Sequence, residues 1–109
     1  NKYDITTFCG TPTLISMLGR INKNSEKTSL KNICISGECL DKETGEIILK
    51  KFPKSKIYHV YGLTEASPRV CYLPPELFGE YPDCVGMPLK SVSLKIIDSS
   101  GNEIRVDKR

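Results

Sequence analysis

Apolar and polar positions along the chain fall into a repeating order. Residues 4–8, with Ile5, Thr6, Thr7 and Phe8, are β-branched and aromatic and predict a short strand that Cys9-Gly10 ends. Thr11-Pro12 then opens a helix, Thr11 as N-cap and Pro12 at the first helical position. Leu14, Ile15, Leu18 and Ile21 recur at helical spacing and predict its buried face, which Gly19 weakens. A polar loop is expected over residues 22–29. A second strand is expected over residues 30–35, running into Ser36-Gly37-Glu38-Cys39-Leu40. Asp41 can cap a second helix that runs toward Phe52 and stops at Pro53; Leu40, Ile47, Ile48 and Phe52 would face inward, with Gly45 loosening the early turns. Residues 57–61 form a third apolar run.

Strand, helix, strand, helix, strand with short crossovers predicts α/β architecture: a partial parallel sheet with flanking helices. Beyond Ser67 the pattern changes. Residues 69–73 read as a strand, Pro74-Pro75 breaks it, and residues 76–82 read as irregular. Residues 92–98 alternate, with Val92, Leu94 and Ile96 on one face. Ser99-Ser100-Gly101-Asn102 forms a turn, and residues 103–106 pair back. The expected division is therefore an α/β portion over 1–73, a connection over 74–91, and a hairpin over 92–109 that begins an antiparallel β subdomain.

The topology has a chemical consequence. Three Gly-bearing turns, Gly10-Thr11, Ser36-Gly37-Glu38 and Gly62-Leu63-Thr64-Glu65, leave the same sheet edge, where open α/β sheets bind ligands. Gly62 lets the backbone turn and another group approach. Thr64 offers a hydroxyl for a phosphate oxygen, Glu65 a carboxylate for the hard cation that accompanies phosphates, and Tyr61 a flat face for a ring. The bland readings are a solvated carboxylate at Glu65, a local backbone cap at Thr64, strand-end packing at Tyr61, an exposed Glu38 and a hydrogen-bonded structural His59.

Composition narrows the partners. A formal charge of +3 with scattered lysines, and no aromatic interleaving around Lys50, Lys51, Lys54 and Lys56, gives no case for nucleic acid. The apolar runs are too short to span a bilayer. Five cysteines with one histidine and no Cys-x-x-Cys make a poor zinc site or disulfide frame. Cys9, Cys34 and Cys71 are expected to be reduced packing residues of a cytoplasmic protein, and Cys39 a modifiable thiol beside the pocket.

Tyr61-Gly62-Leu63-Thr64-Glu65 resembles the Tyr-Gly-x-Thr-Glu signature of the acyl-adenylate-forming, AMP-binding enzymes: acyl- and aryl-CoA synthetases, peptide-synthetase adenylation domains and luciferases. Thr11-Pro12-Thr13-Leu14, Ser36-Gly37-Glu38-Cys39-Leu40 and Val85-Gly86-Met87-Pro88 are similar to further segments of that family, in the same order. The resemblance implies that Tyr61 stacks on adenine, that His59 is an adenine-side polar residue, and that Gly37, Glu38 and Gly62 line the pocket. It implies that Thr64 binds a phosphate and Glu65 holds magnesium. The implied reaction joins a carboxylic acid to ATP, giving acyl-AMP and pyrophosphate. The acyl group then passes to coenzyme A or, alternatively, to a carrier protein. Leu63, where peptide-synthetase signatures commonly have Pro, favours the acyl-CoA branch.

The family's lysine-ended phosphate loop, its ribose-holding Asp and its C-terminal catalytic lysine have no counterpart in residues 1–109. The expectation is an internal piece of a larger domain without turnover of its own. A non-catalytic nucleotide-binding α/β module is the competing expectation.

Overall fold

A computed structural model describes residues 3–21 and 28–104. The element order is β1 (Thr7–Gly10), α1 (Pro12–Ile21), β2 (Asn32–Ile35), α2 (Lys42–Lys51), β3 (Lys56–Leu63), β4 (Ser67–Leu73), α3 (Pro75–Phe78), β5 (Met87–Pro88), β6 (Ile96–Ile97) and β7 (Glu103–Ile104). The first five strands make one sheet in the order β1-β2-β3-β4-β5, and β6 and β7 make a separate antiparallel pair. β1, β2 and β3 run parallel; β4 and β5 are antiparallel to their neighbours. The α/β architecture with a small antiparallel unit is thus the observed one.

One side of the sheet makes the core. Ile33, Ile35 and Ile57 from the parallel strands meet Ile15 of α1, Ile48 of α2, Phe52, Leu73 and Phe78, all 3% exposed or less. Alternation in the strands sends these side chains to one face and Cys34, Tyr58 and their neighbours to the other.

Several local expectations shift. β1 and β2 each begin two or three residues later than their β-rich composition suggests. Ser29 Oγ donates to the Ile5 carbonyl at 2.8 Å, so a hydroxyl satisfies the group that a ladder partner would otherwise take. In α1 the buried stripe is Pro12, Ile15 and Gly19, whereas Leu14 and Ile21 are exposed at 45% and 76%. Gly19 also has a packing role. A β-carbon there would sit 3.1 Å from Lys51 Cγ, so its bare face is what lets α2 lie against α1. Ile47 is likewise on the outer margin of α2, at 36% exposure. Gly45 serves as a seat for Pro82, which a side chain there would displace. The α2 start is secure: Asp41 accepts from Thr44 N and from Thr44 Oγ1, both at 2.8 Å. The expected loop over 22–29 lies largely outside the described residues.

The third strand does not end at Tyr61. It continues through Gly62 to Leu63, turns at Thr64-Glu65, where Ala66 N donates to the Leu63 carbonyl at 3.2 Å, and returns as β4. Tyr61 opposes Cys71 and Leu63 opposes Ser67. Between these pairs one residue on β3, Gly62, faces three on β4, and the surplus forms a bulge at Pro68 and its neighbours, where a missing N–H costs nothing. The turn-rich stretch after Pro74 contains the short helix α3, and Met87–Pro88 joins the main sheet as β5.

Among the described residues the alternating 92–98 run yields a two-residue strand, in which Ile96 pairs with Ile104 and Ile97 with Glu103. Asp98 organises the turn: its Oδ1 accepts from Ser100 N and Asn102 N, both at 2.8 Å. Lys95 pairs with Glu103 at 2.9 Å. Arg105 and Val106, expected to extend the hairpin, lie outside the described residues. No helix among the described residues is long and apolar enough to cross a membrane.

Candidate functional site

Two of the three turns that the sequence set on one sheet edge open into a single cleft of about 270 Å³, which Gly10-Thr11 does not line. Gly37, Glu38, Cys39 and Leu40 form one wall; His59, Val60, Tyr61 and Gly62 form the next; Asp83 and Val85 close the third. Parallel pairing of β2 with β3 causes this. It aligns Ile35 with His59, so the chain leaving β2 and the last residues of β3 emerge side by side.

Gly37 sits at φ +91, in the left-handed region that favours glycine, and this bend turns the backbone from β2 along the cleft. Glu38 follows, but its carboxylate is not free. Oε2 accepts from Thr13 Oγ1 at 2.7 Å and from Thr13 N at 3.4 Å, tying the second loop to the first turn of α1. The Thr13 hydroxyl holds the Glu38 carboxyl below its usual pKa, and the Thr13 amide and Thr11 hydroxyl add to this. Glu38 thus lines the cleft while bracing it.

His59 is 4% exposed and its Nδ1 lies 2.9 Å from the Cys84 carbonyl oxygen. A carbonyl only accepts, so Nδ1 carries the proton and donates, and Nε2 is left as an acceptor. Burial pushes the imidazole below its ordinary pKa. The Cys84 and Pro82 carbonyls and the Asp83 charge pull the other way and do not reverse it. Because the folded-state value lies below that of the unfolded chain, stability from the neutral ring is complete above about pH 6.5 and is lost as pH falls through the folded value. Chemical denaturation should give a constant stability from pH 8 to 7 and a decline below 6.5. His59→Asn, which keeps a donor for Cys84, should flatten that decline between pH 6.5 and 5. An imidazole titrating at or above 6.5 by NMR would contradict this.

Tyr61 is 42% exposed, so its ring is available at the cleft. Gly62 lies at its floor, packed against the backbone of Pro68 and Ser67. Thr64 and Glu65 are not cleft-lining residues. They occupy the exposed tip of the β3–β4 hairpin, beyond Gly62, where the Glu65 carboxylate makes no hydrogen bond or ion pair among the described residues. The structure therefore brings together Gly37, Glu38, His59, Tyr61 and Gly62, and carries Thr64 and Glu65 outward on the same edge.

Asp83 and Val85 were not anticipated. The signal for them was the bracket of Pro82 and Gly86 around a short acid-bearing segment. Pro82 is buried on Gly45, and Gly86, at φ +77, packs against the Tyr72–Leu73 backbone. Both pin the 82–86 turn over His59.

The exposed Glu65 carboxylate beside the Thr64 hydroxyl is a donor set that would fit magnesium. That ion keeps several waters and takes its remaining oxygens from substrate phosphates rather than from a protein cage. Among the described residues no cluster of three or more His, Cys, Asp or Glu could form such a cage.

The AMP-binding enzyme family matches residues 1–109. A D-alanine–D-alanyl carrier protein ligase from Lactococcus lactis is 33% identical over 103 residues, 90% of this chain and 21% of the relative. The 4-coumarate–CoA ligase-like 9 protein of Arabidopsis thaliana is 33% identical over 105 residues, 94% of this chain and 18% of the relative. The crystal structure of VinN superposes with a TM-score of 0.77 at 30% identity, covering 96% of this chain and 27% of that one. The chain spans about a fifth of the length of the curated relatives it matches. Over its whole length this chain belongs to the AMP-binding family of adenylate-forming enzymes.

Proposed function

We propose that these residues form the nucleotide-holding part of an AMP-forming ligase. It would couple a carboxylic acid to ATP, giving acyl-AMP and pyrophosphate, and then pass the acyl group to a thiol. The single observation behind this is the cleft that joins Gly37 and Glu38 to His59, Tyr61 and Gly62. At about 270 Å³ it lies near the low end of small-molecule sites, a size suited to one nucleoside rather than to all the reactants.

Tyr61 provides the stacking face for adenine, and His59 Nε2 an acceptor for a ring amine. Gly37 and Gly62 keep the walls free of side chains. Thr64 donates to a phosphate oxygen and Glu65 binds the magnesium that neutralises it; both lie at the mouth, where the triphosphate would leave the cleft. Two anions meet in this reaction, so positioning and charge neutralisation carry it.

We further propose coenzyme A as the thiol acceptor, in keeping with the Arabidopsis relative and with Leu63. The Lactococcus relative favours a second reading, transfer to a carrier protein. All five cysteines are unbridged, in keeping with a cytoplasmic setting. We expect the 109 residues alone to bind nucleotide without turnover.

Titrating the chain with ATP, with and without magnesium, tests the site. Binding should strengthen with magnesium, and Glu65→Gln should remove on the order of tenfold of that gain while leaving AMP binding without metal unchanged. Equal ATP affinity with and without magnesium, unaltered in Glu65→Gln, would count against the assignment. In a protein containing this chain together with the rest of its ligase, carboxylate-dependent exchange of pyrophosphate into ATP separates a ligase from a module that only binds.

A further inference from the structure

The sheet face turned away from the helices carries a second hollow, about 540 Å³, lined by residues that include Thr7, Cys9, Asn32, Cys34, Tyr58 and Arg69. Cys9 and Cys34 are direct partners in the parallel register of β1 and β2. Both side chains line this hollow. Cys9 is exposed and Cys34 half-buried.

We propose that Cys9 and Cys34 form a peroxide-responsive dithiol site that closes reversibly to a disulfide. Neighbouring strands lie roughly 4.7–4.9 Å apart, inside the roughly 4.4–6.8 Å that a disulfide spans between α-carbons. The β-carbons of parallel partners run side by side rather than toward each other, so the bridge carries strain and is readily reduced.

Exposure sets the order of events. Cys9, facing solvent, attacks hydrogen peroxide as its thiolate. The O–O bond breaks, hydroxide leaves and takes up a proton as water, and Cys9 becomes a sulfenic acid. Cys34, whose thiol burial pushes up in pKa, stays protonated until Cys9 is oxidised. Its sulfur then displaces the sulfenic hydroxyl; the S–O bond breaks, the S–S bond forms, and the Cys34 proton leaves with that hydroxyl as a second water. In sum, two thiols lose two electrons and peroxide is reduced to two waters. Arg69, on the same hollow, favours the Cys34 thiolate at the second step. The site does not depend on the nucleotide reading.

The test is to treat the full chain with equimolar hydrogen peroxide, cap the remaining thiols with N-ethylmaleimide, and measure intact mass and digested peptides. We expect three of the five cysteines to be capped, a Cys9–Cys34 peptide link, and its loss in dithiothreitol. Cys34→Ser should leave Cys9 as a sulfenic acid that dimedone traps. A Cys39→Ser/Cys84→Ser variant should still form the bridge. Five capped cysteines, a link between a different pair, or no dimedone adduct on Cys9 in Cys34→Ser would overturn the proposal.

Discussion

Replacing Gly62 with alanine is expected to destabilise the fold by about 3 kcal/mol, the upper part of the usual range for forcing atoms into a filled site. The reason is local. A β-carbon at Gly62 would fall on the Pro68 carbonyl group and within 2.7 Å of the Ser67 carbonyl oxygen. These are backbone atoms at the β4 bulge, which cannot swing aside as a side chain could. To admit the methyl, the hairpin must open between Tyr61–Cys71 and Leu63–Ser67, the pairs that hold it closed. The same opening would tilt Tyr61 and carry Thr64 and Glu65 off the sheet edge, so nucleotide binding should weaken along with stability. Thermal melting should show a loss of more than about 10 °C for a domain of this size. Gly79→Ala is the matched control: nothing lies within 4 Å of a β-carbon there, and its backbone is right-handed helical at φ −64. A Gly62→Ala protein that melts within a degree or two of the Gly79→Ala protein would show that the β3–β4 bulge is not packed as described.

Phe78→Ala should cost about 3–5 kcal/mol, the range for removing a fully enclosed ring from a core. Phe78 is 0% exposed and ends α3, the short helix that packs on β3. Its ring is what holds the chain after Pro74 onto the sheet. α3 has four residues, too few to be stable by itself. The same segment then delivers Pro82 to Gly45 and the Cys84 carbonyl to His59. Loss of the ring should therefore do more than leave a cavity. It should release the third wall of the cleft, and the His59 imidazole should titrate closer to its ordinary value as water reaches it. Denaturant midpoints and the NMR titration of this one histidine read the two effects separately. A destabilised variant whose His59 titration is unmoved would separate the core role of Phe78 from any hold on the cleft.

The pattern of apolar runs, glycines and caps determined much of this protein. Three β-rich segments separated by two capped helices could only pair as a parallel sheet. That alone set the Gly37 and Gly62 turns on one edge, and the Tyr-Gly-x-Thr-Glu run identified the family. These features are legible because they are local: Asp41 caps within three residues of itself, and strand and helix periods show in short windows.

What tertiary structure decided involves contacts between distant parts of the chain. Gly19 and Gly45 look like helix defects until Lys51 and Pro82 are seen resting on them. Glu38 looks like a free pocket carboxylate until Thr13, 25 residues away, is seen donating to it. Leu14 and Ile21 share a helical spacing with Ile15 and Leu18, yet only the position of α2 determines which part of that arc is covered. β3 runs past Tyr61 because β4 folds back to pair with it, and Asp83 reaches the cleft because Phe78 and Pro82 are buried. In each case propensity left more than one outcome of similar free energy, and burial of a partner far along the chain selected one.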